Sequence, residues 1–170
     1  CLYFVEYGAA PRARSVLYDR GNSSISLIQP GEVDWKKVLS RAKLLHVSGI
    51  TPALSPSAAE TTAVAMKAAK DAGCLVSYDL NYRKKLWSPA EAKGCQEPLM
   101  KWVDILTTTE EDIGVVFGIR EDTYQKVAEK LAKAFGFKAV AITLREDISV
   151  WKNNWTAIAY ADGKIYSDRT

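Results

Sequence analysis

Four short apolar segments recur along the middle of the chain, each leading into a helix start or a crossover, and this alternation narrows the fold more than any other feature. Lys43-Leu44-Leu45-His46-Val47, Cys74-Leu75-Val76-Ser77-Tyr78, Asp104-Ile105-Leu106-Thr107 and Lys138 to Thr143 read as strands. After the first, Ser57-Ala58-Ala59-Glu60 has capping-box spacing and predicts a helix that ends at Gly73. Ser88-Pro89-Ala90-Glu91 repeats the signal, with proline at the first helical position, and predicts a helix to about Val103. A short helix up to Gly118 follows the third strand. Another opens at Asp122 to Gln125, with Val127, Leu131, Ala134 and Phe135 on one face and Gly136 as its stop. Strands that alternate with helices in this way pair in parallel and carry the helices on the sheet faces. The expected fold is α/β, a doubly wound and mostly parallel sheet.

The flanks differ. Residues 1–28 read as a β-meander whose segments 2–7, 15–19 and 24–28 are separated by Gly8-Ala9-Ala10-Pro11 and Arg20-Gly21-Asn22-Ser23. Pro30-Gly31 marks a boundary, and Asp34 can cap a short helix through about Ala42. Residues 29–170 then form the α/β unit. Near its end Asp147 to Trp151 and Trp155 to Ala161 flank Lys152-Asn153-Asn154, and Asp162-Gly163 is a hairpin turn. The chain enters on a strand, without a cap before it, and stops just past another. Such ends expose unpaired backbone, so the chain is expected to be an internal piece of a longer protein.

Composition sets the outer limits. With 170 residues, 48% hydrophobic and 25% charged, the sequence has material for one core and is not a disordered tail or a disulfide-stapled module. A net charge of +3, with Arg83-Lys84-Lys85 as the longest basic run, is too small for a dedicated nucleic-acid binder. No apolar stretch approaches the ~18–20 residues that span a bilayer, so no membrane partner is expected. Cysteines at 1, 74 and 95 show no metal spacing and suggest reduced thiols in a cytoplasmic protein, with Cys74 a small core residue. Neither a dinucleotide-binding glycine fingerprint nor a P-loop occurs. The single histidine, His46, lies mid-strand and reads as a core residue, which argues against histidine triads and zinc sites.

Ligands of open α/β sheets bind outside the carboxyl ends of the strands. The four exits here are Ser48-Gly49-Ile50-Thr51, Asp79-Leu80-Asn81-Tyr82-Arg83, Thr107 to Asp112, and Thr143-Leu144-Arg145-Glu146. Asp79 to Arg83 is either an ordinary polar loop or a ligand site, since a guanidinium there can grip a carboxylate or phosphate through two parallel hydrogen bonds. Thr109-Glu110-Glu111-Asp112 either complements a helix dipole or organises a hydrated Mg²⁺. In the meander Tyr18 and Arg20 share a face, because side chains alternate with period two. With Tyr3 they form either a solvated surface or a cover over a polar ligand.

In order along the chain, Tyr3-Phe4-Val5-Glu6, Val16 to Arg20, Val47 to Ser55, Ser77 to Arg83 with Leu86-Trp87, Thr109 to Asp112, and Ile142 to Glu146 resemble the ribokinase-like carbohydrate kinases, the PfkB family. The Ser-Gly-Ile-Thr-Pro-Ala-Leu-Ser and Asp-Leu-Asn-Tyr-Arg blocks resemble the branch that acts on 2-keto-3-deoxygluconate. The resemblance implies a ribokinase-like core with part of a small β-sheet lid over residues 1–28, and phosphoryl transfer from ATP to the sugar 6-hydroxyl. It implies sugar contacts at Tyr3, Tyr18, Arg20, Ile50 and Arg83. The substrate is a sugar acid, so it needs a cation, and Arg20 and Arg83 are the candidates for its carboxylate and for the phosphoryl side. Glu111 and Asp112 match the region that helps hold Mg²⁺, here through water, because Thr109 stands where the family has Asn and Asp112 where it has Glu. Thr109, Thr143 and Arg145 fall beside the nucleotide.

The family's glycine-rich segment with its general-base aspartate has no counterpart in this sequence, nor does its opening Gly-Gly strand, so the piece alone is expected to be inactive. In the family the lid often pairs two subunits, which implies a homo-oligomer. Two alternatives accompany this reading: another sugar kinase of the same family, and a non-catalytic module that captures sugar or dimerises through the meander.

Overall fold

The computed structural model describes residues 2–9, 11–149 and 152–167. Two sheets are present among them. Strands β1 (Leu2–Glu6) and β2 (Ser15–Asp19) form an antiparallel ribbon in which Tyr3 faces Tyr18 and Val5 faces Val16. The second sheet has six strands in sequence order: β3 (Leu44–Ser48), β4 (Leu75–Asp79), β5 (Ile105–Thr109), β6 (Ala139–Asp147), β7 (Asn153–Ala161) and β8 (Lys164–Ser167). The first four are mutually parallel, and the last two are added antiparallel. The architecture is the expected α/β one, with a mostly parallel sheet.

Burial explains the order. Val76, Ser77 and Tyr78 of β4 are all buried, as an inner strand flanked on both sides should be. In β5 and β6 the buried residues alternate, with Leu106 and Thr108 paired to Val140 and Ile142 on one face. That face carries the core, closed by α3 (Pro56–Asp71), α4 (Pro89–Gln96), α5 (Glu110–Val116) and α6 (Tyr124–Phe135). Cys74 is buried there, its thiol 3.1 Å from the Ala42 carbonyl.

Several local expectations are corrected. Segment 24–28 is not a third meander strand: it is a short helix, α1 (Ser24–Leu27), and α2 (Trp35–Leu39) follows with Asp34 as its cap. Ile25 and Ile28 are three apart, one helical turn, and both face Thr62 and Ala65 of α3. Helix α3 begins at Ser55-Pro56, not at Ser57. Ser55 Oγ accepts the Ala58 amide at 3.1 Å, and proline, pre-set for the first helical position, starts the helix two residues earlier. The Ser88–Glu91 capping box forms as expected, but α4 gives way to a 3₁₀ turn (Glu97–Trp102) because Pro98 cannot continue the α-helical ladder.

On α6 the buried face is Val127, Ala128, Leu131 and Ala132, while Ala134 is exposed; Gly136 ends the helix at φ +75°. Asn153 and Asn154, expected in a loop, pair with Asp147 and Glu146 because β6 runs on to Asp147. The expected strand over Asp147–Trp151 ends at Val150 and Trp151, which lie outside the described residues, as do Cys1, Ala10 and the last three. His46 is exposed on the outer strand β3, with Nδ1 3.1 Å from Ser77 Oγ, so it is no core residue. Among the described residues no helix is long and apolar enough to cross a membrane.

Candidate functional site

The carboxyl ends of β3, β4, β5 and β6 meet on one side of the sheet, and the ribbon reaches over them. Two hollows lie there. The first, about 380 Å³, is lined by Tyr18 and Arg20 of the ribbon, by Tyr82 and Arg83 after β4, and by Glu111 and Asp112 at the start of α5. The second, about 520 Å³, shares Arg83, Glu111 and Asp112 with it and adds Thr109, Thr143 and Arg145. Eight of the ten candidate residues thus line one connected depression.

Each side chain is set by local structure. Arg20 follows β2 and stacks on Tyr18, its guanidinium carbon 3.9 Å from the ring centroid, as neighbours two apart on a strand can. The Tyr3 ring stands 6.1 Å from Tyr18 on the same ribbon face, yet it does not line the hollow. Arg83 is exposed and donates from Nη1 to the Tyr82 carbonyl at 3.2 Å. Among the described residues neither arginine pairs with a carboxylate within 4.0 Å, so both remain free for an anion.

Thr109 caps α5: its hydroxyl accepts the Asp112 amide at 3.1 Å, and this turns Asp112 back toward the β4 exit. There Asp112 Oδ2 accepts the Tyr82 amide at 3.3 Å. Burial pushes the Asp112 carboxyl up, against the opposing pull of the Tyr82 amide, Arg83 and Thr109. Asp79 is raised as well, again by burial, against His46, Arg83 and Asn81. Thr143 donates to the Thr108 carbonyl at 3.3 Å, and Arg145 is held by Asp147 and Asn153.

Ile50 is the other candidate that stands apart from the hollows. It sits one residue beyond Gly49 in the β3 exit, half-buried. What spacing did not reveal is how this exit is tied to the next one. Asn81, in the left-handed region at φ 42°, donates from Nδ2 to both Ser48 Oγ (3.1 Å) and Asp79 Oδ2 (3.0 Å). Lys84 and Lys85 also line the first hollow, a cationic excess whose only signal in the sequence was the basic run.

The arrangement brings two guanidinium groups and two carboxylates to the wall of one hollow. The sequence model described as pfkB family carbohydrate kinase matches residues 1–162. Over 154 residues the chain is 38% identical to the 2-dehydro-3-deoxygalactonokinase of Haloferax volcanii, covering 91% of this chain and 48% of that protein. It is 32% identical over 134 residues to the 2-dehydro-3-deoxygluconokinase of Thermoproteus tenax, covering 75% of this chain and 39% of the other. It superposes on the crystal structure of 2-dehydro-3-deoxygluconokinase from Thermotoga maritima with a TM-score of 0.93 at 40% identity, over 97% of this chain and 52% of that one. The chain spans about half the length of the relatives it matches.

Proposed function

The chain belongs to the pfkB family of carbohydrate kinases, and we propose that it is the central part of an enzyme that phosphorylates 2-keto-3-deoxygluconate, or its galactonate epimer, on the 6-hydroxyl with ATP as donor. One observation carries the reading: Arg20 of the ribbon and Arg83 of the β4 exit line the same hollow, which shares Arg83, Glu111 and Asp112 with a second. The sugar acid occupies the first hollow and the nucleotide phosphates the second, so the phosphoryl group crosses at the shared wall. A charge-assisted hydrogen bond to the carboxylate contributes about 1.5–3 kcal/mol. Tyr18 lines the sugar side, with Tyr3 and Ile50 outside the hollow, and Thr109, Thr143 and Arg145 line the nucleotide side.

The residues fit a hydrated Mg²⁺ better than a stripped one. Only Glu111 and Asp112 face the junction, Asp112 is already engaged by the Tyr82 amide, and the described residues hold no group of three or more metal-ligating side chains. A small hard cation that keeps most of its waters asks for no more than this. When bound with the nucleotide it neutralises phosphate charge. Glu111 and Asp112 would hold its waters, and Arg83 orients the phosphoryl group between the two hollows.

The experiment is a coupled ATP-dependent assay of the full-length protein on 2-keto-3-deoxygluconate, fructose and ribose. The sugar acid is expected to be preferred. Arg20→Ala is expected to raise its KM by roughly ten- to a hundredfold. Preference for fructose or ribose overturns the substrate, and an unchanged KM in Arg20→Ala overturns the role of the ribbon cation. The exposed Leu2, Phe4 and Leu17 on the other ribbon face favour pairing of two copies through the lid, which sedimentation tests. A stable dimer that binds sugar acid without turnover would instead favour the capture module.

A further inference from the structure

Beneath the two loops that carry Ile50 and Arg83 lies a fully buried amide whose nitrogen makes no hydrogen bond among the described residues. Gln96, in the last turn of α4, has no exposed surface. Its Oε1 accepts the hydroxyl of Tyr78, itself fully buried, at 2.9 Å. Its Nε2 has no partner. The bond to Tyr78 accounts for the oxygen only, and a buried amide nitrogen without a partner costs stability. The amide therefore needs an explanation beyond filling space.

Its position supplies one. The β3 exit approaches the β4 exit through Gly49, whose amide donates to the Asp79 carbonyl at 2.8 Å. A Cβ on Gly49 would stand 2.2 Å from the Leu80 carbonyl oxygen and 2.5 Å from Gln96 Oε1. Three groups thus meet at one point: the glycine of one loop, the backbone of the other, and the carboxamide oxygen that Tyr78 fixes from below. Ile50 is the next residue after Gly49, and Asn81 to Arg83 follow Leu80. Any change in this contact shifts the loop that brings Tyr82 and Arg83 to the first hollow.

We propose that Gln96 is a positioning residue, which sets where the Tyr82–Arg83 loop stands at the first hollow by seating Gly49 against Leu80. This rests on the reading of the first hollow as a sugar-acid site. Three variants of the full-length protein test it: Gln96→Met, which keeps length and volume but removes the acceptor; Gln96→Glu, which keeps both the shape and the acceptor and stays protonated when buried; and Tyr78→Phe, which releases the carboxamide from its anchor.

Gln96→Met is expected to raise the sugar-acid KM about tenfold, the weight of one hydrogen bond, with the nucleotide KM and kcat little changed. Gln96→Glu should restore most of the affinity, and Tyr78→Phe should move in the direction of Gln96→Met. A fall in melting temperature without a change in sugar KM overturns the proposal. So does an equal rise in both KM values, or a Gln96→Glu variant no better than Gln96→Met. If Gln96→Met does not fold, Tyr78→Phe alone decides by the same split. A wild-type protein that ignores sugar acids refutes the hollow's assignment as well, whereas normal wild-type turnover with indifferent variants refutes only the role of Gln96.

Discussion

Asp112 shows how a single residue is placed in tension. Its carboxyl is half-buried between the β4 exit and the start of α5, and burial raises it despite the Tyr82 amide, Arg83 and Thr109. A carboxyl raised in the folded state favours folding most below its unfolded value and loses that contribution as pH rises through the folded one. At neutral pH the ionised group therefore costs stability. Asp112→Asn is expected to melt about 1–2 °C higher than the parent at pH 7, a gap that closes on acidification, while its Mg²⁺ requirement rises. Thermal melts against pH, with a Mg²⁺ titration of activity, check both. A variant that melts lower at pH 7 would show that the ionised carboxylate is a structural asset. Residues like this were only half legible: the Thr-Glu-Glu-Asp order showed an acidic helix start, but not that Thr109 caps it and turns Asp112 onto the Tyr82 amide. His46 was misleading for the opposite reason. A histidine between leucine and valine looks internal, and only the strand order shows that β3 lies at an edge.

At the scale of elements, what the sequence reveals depends on whether the deciding contact is near in the chain. The Ser88–Glu91 box is complete within four residues and forms as written. The Ser57–Glu60 spacing pointed to Ser57 as the start of α3, and Pro56 at the first helical position moves the cap back to Ser55. Segment 24–28 was too short for its period to be read, so a helix packed on α3 passed for a strand. Long-range ties leave no local trace. Asp104, before β5, accepts the Val76 amide at 2.9 Å and the Lys70 ammonium at 2.6 Å, and pairs with Lys138 at 3.1 Å, so it joins β4, α3 and the approach to β6. Burial works against its ionised form, but Lys70, the Val76 amide and Lys138 outweigh it and hold the carboxyl below its ordinary range. A depressed carboxylate stabilises the fold above its unfolded value, and that contribution vanishes as pH falls through the folded one. Asp104→Ala, which strands the Val76 amide, is expected to cost about 1–3 kcal/mol at pH 7. In urea melts the difference should shrink below about pH 4; a pH-independent difference would mean that packing alone is lost.

Across the whole molecule stability is uneven, and the site straddles the divide. The carboxyl ends of β4 and β5 rest on a buried core, whereas the ribbon buries almost nothing: Tyr3 is 66% exposed, Phe4 59% and Tyr18 50%. A two-stranded ribbon is marginal by itself in water. Only Val16, Tyr18 and Arg20 reach the first hollow, so the ribbon's order depends on what fills the space beneath it. Arg20 already stacks on Tyr18, which leaves one step for the ligand to supply, an anion between Arg20 and Arg83. A ligand at a hundred times its Kd stabilises the state that binds it by about 2.7 kcal/mol. If opening of the ribbon releases the sugar acid, the amides of residues 2–6 and 15–19 should exchange up to about a hundredfold more slowly in its presence. Nucleotide alone, confined to the second hollow, should leave them unchanged. Hydrogen exchange on the full-length protein makes the comparison directly. Ribbon exchange unaffected by a sugar acid that calorimetry shows to be bound would place the carboxylate away from Arg20, and the lid would then be a dimer surface with no part in substrate capture.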